Sequence, residues 1–488
     1  MFRPSQAFFF TKPQRSDVLD PADWNDFRAE CHRVVDSLVD YLKTVSDRPT
    51  WQPVPQEVKD ALREALPIDG MPLSNVYDRF SKLILPYPTG NISPRFFGWV
   101  HGSGTPAGAL ADFLASTMNS NVGGRDHGAV YVERQVIAWF CDLFGFGEAA
   151  SGILLSGTSL ANLVAILVAR SSQLGHDVRA RGLDQRTQPL VGYASAATHS
   201  CVRKAFEMAG LGSDALRVLP IDASHGIDLK LLEAAIANDR AQGNVPFIVV
   251  GNAGTVDVGA FDPLEDLAAI ARKNELWFHV DGAFGAMTIL SERLRHFVHG
   301  IERADSIAFD FHKWLHVPYD AACVLVRDGA MHRRTFASEG PYITRMQRGL
   351  AAGEPWFADY GPDLSRSFRA LKIWFTLKHF GARRLAAAIE RNCEQAQLLA
   401  KLIEASPDFE LAAPVGLNIV CFRYRGAPDA QDAANDAIAI EVQLSGRAVI
   451  SATTVDGRRA LRACFTNQRT TDKDVRELFD AVTDAARH

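Results

Sequence analysis

The sequence predicts an α/β fold built on a mostly parallel central sheet, with an N-terminal helical segment and a small α+β C-terminal domain. Three observations carry this. Between about residues 90 and 330, short apolar runs alternate with helical patterns, as in units that build parallel sheets. Several of the runs are nearly continuous hydrophobics, as expected of strands buried on both faces. Residues before this stretch show helical periodicity only, and residues after it return to strands after one long helix.

Residues 1 to about 20 read as an irregular tail. Pro21-Ala22-Asp23 opens a helix whose apolar positions are Phe27, Cys31, Val34, Val35, Leu38 and Leu42. A proline-rich connection follows, then amphipathic pieces carrying Val58, Leu62 and Leu66, and Val76, Phe80, Leu83 and Ile84. These make an N-terminal helical segment over 1–88. The strands of the large domain, 89–375, are expected at 152–155, 190–193, 247–250, 276–280, 306–309 and 322–326. The stretch 333–365 lacks periodicity and carries Gly340, Gly349, Gly353 and Gly361, which reads as a long functional loop. A helix through Phe368, Leu371, Trp374, Phe375, Leu377 and Phe380 leads into the small domain, 376–488, with strands near 417–422 and 459–465.

The 488 residues are 47% hydrophobic and 22% charged, with a net charge of −5. That is the composition of a soluble globular protein with a large core, and it argues against a nucleic-acid or anionic-membrane partner. The seven cysteines are dispersed with no CxxC pair, so neither a disulfide scaffold nor a metal site is expected, and a reducing cytoplasm fits best. No stretch approaches the roughly 20 apolar residues that span a bilayer.

The chemistry centres on Ala308-Phe309-Asp310-Phe311-His312-Lys313-Trp314, where a lysine sits inside an apolar, aromatic run. A buried ammonium is costly unless it is neutralised or bonded. One solution is covalent: the amine forms a Schiff base with an aldehyde cofactor. Asp281 ends one of the expected buried strands, where ligands bind in open α/β sheets. It precedes Lys313 by 32 residues, about one helix plus one strand, so the two can lie on neighbouring strand ends. Leu155-Ser156-Gly157-Thr158-Ser159-Leu160-Ala161-Asn162 follows another strand and opens a helix, offering N–H groups, hydroxyls and the positive dipole end to a phosphate. His199 and Thr255 each lie on a loop after a strand, and an imidazole can stack on a flat ring. An amine, a carboxylate, an anion site and a stacking ring are what pyridoxal phosphate (PLP) requires.

Taken in this order, the motifs resemble the group II PLP-dependent amino-acid decarboxylases, the family of aromatic-L-amino-acid, glutamate and histidine decarboxylases. The resemblance runs from about Trp24 to Val482. Its pieces include Ser93-Pro94-Arg95-Phe96-Phe97, Ala197-Thr198-His199-Ser200, His279-Val280-Asp281-Gly282-Ala283, His312-Lys313-Trp314, Ser365 to Lys372 and Asn467-Gln468-Arg469-Thr470. It implies fold type I of the PLP-dependent transferases (aspartate aminotransferase-like) and a homodimer with shared active sites. By the same resemblance Lys313 is the Schiff-base lysine, Asp281 the partner of the pyridine nitrogen, His199 the stacking ring and Ala283 a contact on its other face. Thr158, Ser159 and His312 would bind phosphate, with Thr255 and Asp310 nearby. A carboxylate at Asp310 would repel phosphate unless it accepts a backbone or hydroxyl bond instead. Tyr342 matches the loop tyrosine that protonates the product carbon, where aldehyde-forming members typically carry phenylalanine. Trp99 and His101 align with the family's aromatic substrate wall, and Asn121 with a position reached from the neighbouring subunit. The implied reaction is decarboxylation of an L-amino acid, aromatic favoured. The alternatives are an aldehyde synthase, or a decarboxylase of a polar or acidic amino acid, since His101, Gly102, Asn121 and Gly123 make the wall more polar than in the animal aromatic enzymes.

Overall fold

A computed structural model describes residues 18–175, 177–183, 188–338, 345–427 and 430–487. The described residues form two compact units: those up to Arg48 with Pro53–Pro88, and Pro49–Gln52 with those from Thr89 onward. In the first unit, α1 (Trp24–Lys43) is capped by Asp23, whose carboxylate accepts from the Asn25 and Asp26 N–H groups. α2 (Gln56–Ala61) and α3 (Leu73–Leu83) follow. Arg33 on α1 bonds Glu30 at 2.5 Å and Asp78 of α3 at 3.1 Å.

The second unit begins with α4 (Pro106–Met118) and α5 (Gly128–Leu143). Then come β1 (Ser151–Leu155), α6 (Thr158–Leu174), α7 (Asp177–Arg181), β2 (Leu190–Ser195), α8 (Ser200–Met208), β3 (Leu216–Leu219), α9 (Leu229–Ala241) and β4 (Val245–Asn252). They are followed by α10 (Leu264–Lys273), β5 (Trp277–Asp281), β6 (Ser306–Asp310), β7 (Ala322–Val326), α11 (Gly329–Phe336) and α12 (Ala370–Glu404). The chain closes with β8 (Phe409–Leu411), β9 (Ile419–Tyr424), α13 (Gln431–Leu444), β10 (Ser451–Val455), β11 (Arg458–Cys464) and α14 (Asp472–Ala485).

Seven strands form the large sheet in the order β1-β7-β6-β5-β4-β2-β3. Its members run parallel except β7, which is antiparallel to both β1 and β6. β2, β5, β6 and β7 are buried almost throughout, which is why they read as continuous hydrophobic runs. β3, at the edge, is buried only at its two ends, Leu216 and Leu219, and shows no such run. A second, antiparallel sheet has the order β10-β11-β9-β8. Gly381 interrupts the long helix α12 with φ +71°, a left-handed conformation that costs glycine little.

The register of the large sheet prepares the site. Asn252 at the end of β4 pairs with Asp281 at the end of β5, and Asp281 pairs with Ala308 of β6. Three parallel strands therefore end side by side, and the segments that follow them leave the sheet at one edge.

Candidate active site

A cavity of about 400 Å³ opens at that edge. Its lining brings together Ser156, Thr158, Ser159, His199, Thr255, Asp281, Ala283, Asp310, His312 and Lys313, with Trp99 and His101 on its wall. Asn121 is not among the lining residues of this chain. Its Oδ1 accepts the Gly123 and Arg366 N–H groups, each at 3.0 Å, and so folds its own loop. Tyr342 lies outside the described residues.

Lys313 follows β6 on a turn that begins with Phe311 and His312. Its Nζ lies 2.9 Å from Asp310 Oδ2, and its side chain is 23% exposed, opening on the cavity. Burial alone pulls the Lys313 pKa down. The charge and hydrogen bond of Asp310, helped by Asp281, overcome this and leave it above the ordinary lysine value. The other oxygen of Asp310 accepts the Thr158 N–H at 2.8 Å. The backbone bond required of a carboxylate at this position is therefore present. His312 Nδ1 sits 2.9 Å from Ala321 O and 3.1 Å from Ala321 N, while Nε2 is 3.8 Å from Asp310 Oδ2. Burial holds the His312 pKa low, against the pull of Asp310.

Asp281 is 5% exposed. Its Oδ1 accepts the Ala283 N–H at 3.1 Å and its Oδ2 accepts from Asn162 Nδ2 at 2.8 Å. Burial raises its pKa, while the Asn162 bond, the charge of Lys313 and the Ala283 N–H draw it back. His199 caps α8: its Nδ1 accepts the Cys201 N–H at 3.2 Å, which leaves Nε2 as the protonated nitrogen of the neutral ring. Thr255 is 2% exposed, and its Oγ1 accepts the Ala260 N–H at 3.0 Å.

Ser156–Ser159 leads into the N-terminus of α6, whose N-cap is Gly157 with no side-chain cap. The Thr158 hydroxyl is buried and has no hydrogen-bond partner. A buried orphan hydroxyl costs about 1–3 kcal/mol, so an acceptor at this helix start would satisfy it. A primary amine, a buried carboxylate, an orphaned threonine hydroxyl at a helix N-terminus and an imidazole on the rim together fit PLP.

The wall has features that no motif signalled. Tyr319 lines the cavity, its ring centred 4.3 Å from His312 and 6.2 Å from His101. His101 stacks on Phe96 (5.6 Å, 13°) and Trp99 (5.8 Å, 27°). Burial, then the charges of Lys313 and His312, keeps its pKa low, so the imidazole is neutral. Arg462 of β11 is 3% exposed. Its guanidinium donates to Trp99 O (3.0 Å), Asp257 O (3.0 Å) and Val256 O (2.5 Å), and Thr466 Oγ1 donates to His101 O at 2.8 Å. The only hint in the sequence was a charge inside an apolar strand. Gly102 passes so near Lys313 that an added Cβ would stand 2.0 Å from His312 O, which excludes any side chain there.

The sequence profile of the pyridoxal-dependent decarboxylase conserved domain matches residues 55–425. An aromatic-L-amino-acid decarboxylase of Bacillus atrophaeus is 32% identical over 457 residues, covering 92% of this chain and 93% of that protein. A phenylacetaldehyde synthase of Arabidopsis thaliana is 30% identical, covering 96% of this chain and 97% of that protein. The crystal structure of Oryza sativa TDC with PLP and tryptamine superposes with a TM-score of 0.88 at 26% identity, over 96% of this chain and 99% of that one. The chain belongs to the pyridoxal-dependent decarboxylase family. It has fold type I, its cofactor is PLP, and it is an amino-acid decarboxylase, a carboxy-lyase.

Proposed function

We propose that the protein removes the α-carboxyl group of an aromatic L-amino acid, giving the amine and CO₂. One observation carries this reading: the Lys313, Asp281 and His199 side chains share one cavity with a wall of Trp99, Val100, His101, Phe284 and Tyr319. A flat aromatic side chain fits that wall, and the neutral His101 offers a hydrogen bond to a ring hydroxyl or indole N–H. The likeness to the Bacillus aromatic decarboxylase supports the same class.

Bound PLP supplies an electron sink for the bonding pair left when CO₂ departs. The residues of this chain do the rest. Lys313 would be the covalent anchor, and Asp310 Oδ2, within hydrogen-bond distance of Nζ, positions its amine. Asp281 would keep the cofactor's ring nitrogen protonated. His199 and Ala283 would hold its ring. Thr158, Ser159 and His312, with Thr255, would hold its phosphate. Tyr342 donates the proton that completes the amine, which favours amine over aldehyde as product. Trp99 and His101, with Asn121 from a second copy, contact the substrate side chain.

A homodimer is part of the proposal. α1 exposes Trp24, Phe27, Val35, Leu38 and Val39, and α4 exposes Leu110, Phe113, Leu114 and Met118. Apolar side chains exposed along a helix are suited to a partner surface. The test is a panel of carboxyl-labelled L-amino acids (aromatic, acidic and histidine) scored for CO₂, with amine, aldehyde and peroxide assayed together. The expected result is CO₂ and amine from aromatic substrates. CO₂ from acidic or histidine substrates alone overturns the substrate class, and aldehyde with peroxide overturns the product.

A further inference from the structure

Beneath the cavity, a chain of buried polar side chains runs through the sheet to Asp281. Trp277 Nε1 donates to Ser306 Oγ at 2.8 Å. Ser306 Oγ is 2.8 Å from His279 Nδ1, and His279 Nε2 is 2.9 Å from Asn162 Oδ1. Asn162 Nδ2 donates to Asp281 Oδ2 at 2.8 Å and to Cys201 Sγ at 3.3 Å. Asn162, His279 and Ser306 are each 0% exposed.

The direction of every link is set by chemistry. An ionised carboxylate only accepts, so Asn162 must turn its NH₂ toward Asp281. That leaves Asn162 Oδ1 facing His279 Nε2, which must carry the proton. Nδ1 is then the bare nitrogen of a neutral ring, and it accepts the Ser306 hydroxyl. Ser306 O, 3.2 Å from Nδ1, is an acceptor too and is no partner for it. The Ser306 oxygen is in turn filled by the indole N–H, which can only donate. Both N–H groups and the oxygen of Asn162 are used. A protonated His279 would have to donate from Nδ1 and so break the order; burial, holding its pKa at about 4, keeps it neutral.

We infer that Asn162 and His279 are positioning residues for the reaction: with Ser306 and Trp277 they form a one-way hydrogen-bond chain that aims a donor at Asp281 Oδ2 and keeps that carboxylate ionised and fixed beneath the cofactor. The inference rests on the reading of Asp281 as the partner of the pyridine nitrogen. Donor polarisation along a buried chain strengthens its last bond. The Asp281 carboxylate has a backbone donor, the Ala283 N–H, on its other oxygen, and among the described residues Asn162 is its side-chain donor. Neither Asn162 nor His279 is among the residues that line the cavity.

The experiment uses the full chain reconstituted with PLP labelled with ¹⁵N in the ring. The ring-nitrogen resonance, PLP affinity and thermal unfolding are read for the wild type and for Asn162→Ala, His279→Phe, His279→Gln and Ser306→Ala. Asn162→Ala and His279→Phe are expected to move the resonance toward the unprotonated position and to weaken PLP binding about ten-fold, the lower end of what outer-shell partners do at metal ligands. His279→Gln keeps an N–H for Asn162 and is expected to stay near the wild type. Ser306→Ala removes only a hydroxyl and is expected to move the resonance in the same direction by less, so the chain stays testable if a larger change unfolds the protein. A purely structural role would lower stability and leave the resonance in place. An unmoved resonance and unchanged affinity in folded Asn162→Ala, His279→Phe and Ser306→Ala overturn the chain. Asp281→Ala serves as the reference: an unmoved resonance there overturns the reading of Asp281 itself.

Discussion

The floor of the cavity and its wall are made of different materials. Beneath Asp281 the hydrogen bonds run in one direction from Trp277 to the carboxylate, and Asn162 and His279 are wholly buried. On the wall, Trp99 is 51% exposed and Tyr319 48%, and His101 is held by ring stacking and by its backbone. The floor must present one charge at one place whatever the substrate. In the proposed function the wall decides which side chain enters, and an open surface of stacked rings can change residue by residue without disturbing the sheet. On that proposal, chemistry and specificity are carried by separately built parts of the same cavity.

Four changes would break or sharpen this contrast. The largest effect belongs to the floor. Lys313→Ala is expected to lose the visible absorbance of the bound cofactor together with CO₂ release, by more than about 10⁴-fold, the scale seen when a covalent catalytic residue is removed. Absorbance and turnover measured on one preparation check that they fall together.

Next comes the support of the strand that feeds the phosphate turn. Arg366 bonds Glu133 and Leu154 O, and Glu133 accepts the Leu154 N–H at 3.2 Å; Glu133 is wholly buried and the Arg366 side chain is 1% exposed. Arg366→Leu strands a buried carboxylate, and a loss of about 3–5 kcal/mol is expected in denaturant unfolding. Glu133→Leu combined with Arg366→Leu is expected to cost less than Arg366→Leu alone.

Acid should strike the interior before the rim. Burial lowers the pKa of His279 to about 4 and those of His316 and His332 to about 3. A histidine with a depressed folded pKa stays neutral in the fold, while the unfolded chain binds a proton below about pH 6.5. Unfolding therefore takes up protons, and stability falls as pH falls from about 6.5 toward 3–4. Each such histidine contributes up to about 1.4 kcal/mol per pH unit. Urea midpoints between pH 7 and pH 4.5 measure this; midpoints that rise on acidification would contradict it.

The smallest effect belongs to the wall. His101→Phe is expected to leave cofactor binding unchanged and to lower the kcat/KM ratio for tyrosine over phenylalanine about ten-fold. An unchanged ratio would remove His101 from substrate contact.

The same contrast explains what the sequence made legible. Floor residues sit at strand ends and helix starts, where a lysine in an apolar run or an aspartate after one stands out. Lys313, Asp281, His199, Thr158 and Ser159 were all readable and come together in the cavity. Asn162 and His279 lay inside the same motifs, but their partners are 117 to 119 residues distant, and only the fold reveals the chain they form. Tyr319 follows no strand and carries no spacing signal. Arg462 shows in the sequence only as a charge inside an apolar strand; the backbone carbonyls that it bonds from the second sheet leave no sequence signal. Strand β3 escaped because it is short, lies at the sheet edge and is buried only at Leu216 and Leu219.

The most direct test of the account is where the cofactor attaches. The protein is incubated with PLP, reduced with borohydride, digested and mapped by mass spectrometry. The expected result is a pyridoxyl adduct on the peptide containing Lys313, absent when that lysine is replaced by alanine. An adduct confined to another lysine, or none at all, would contradict the account.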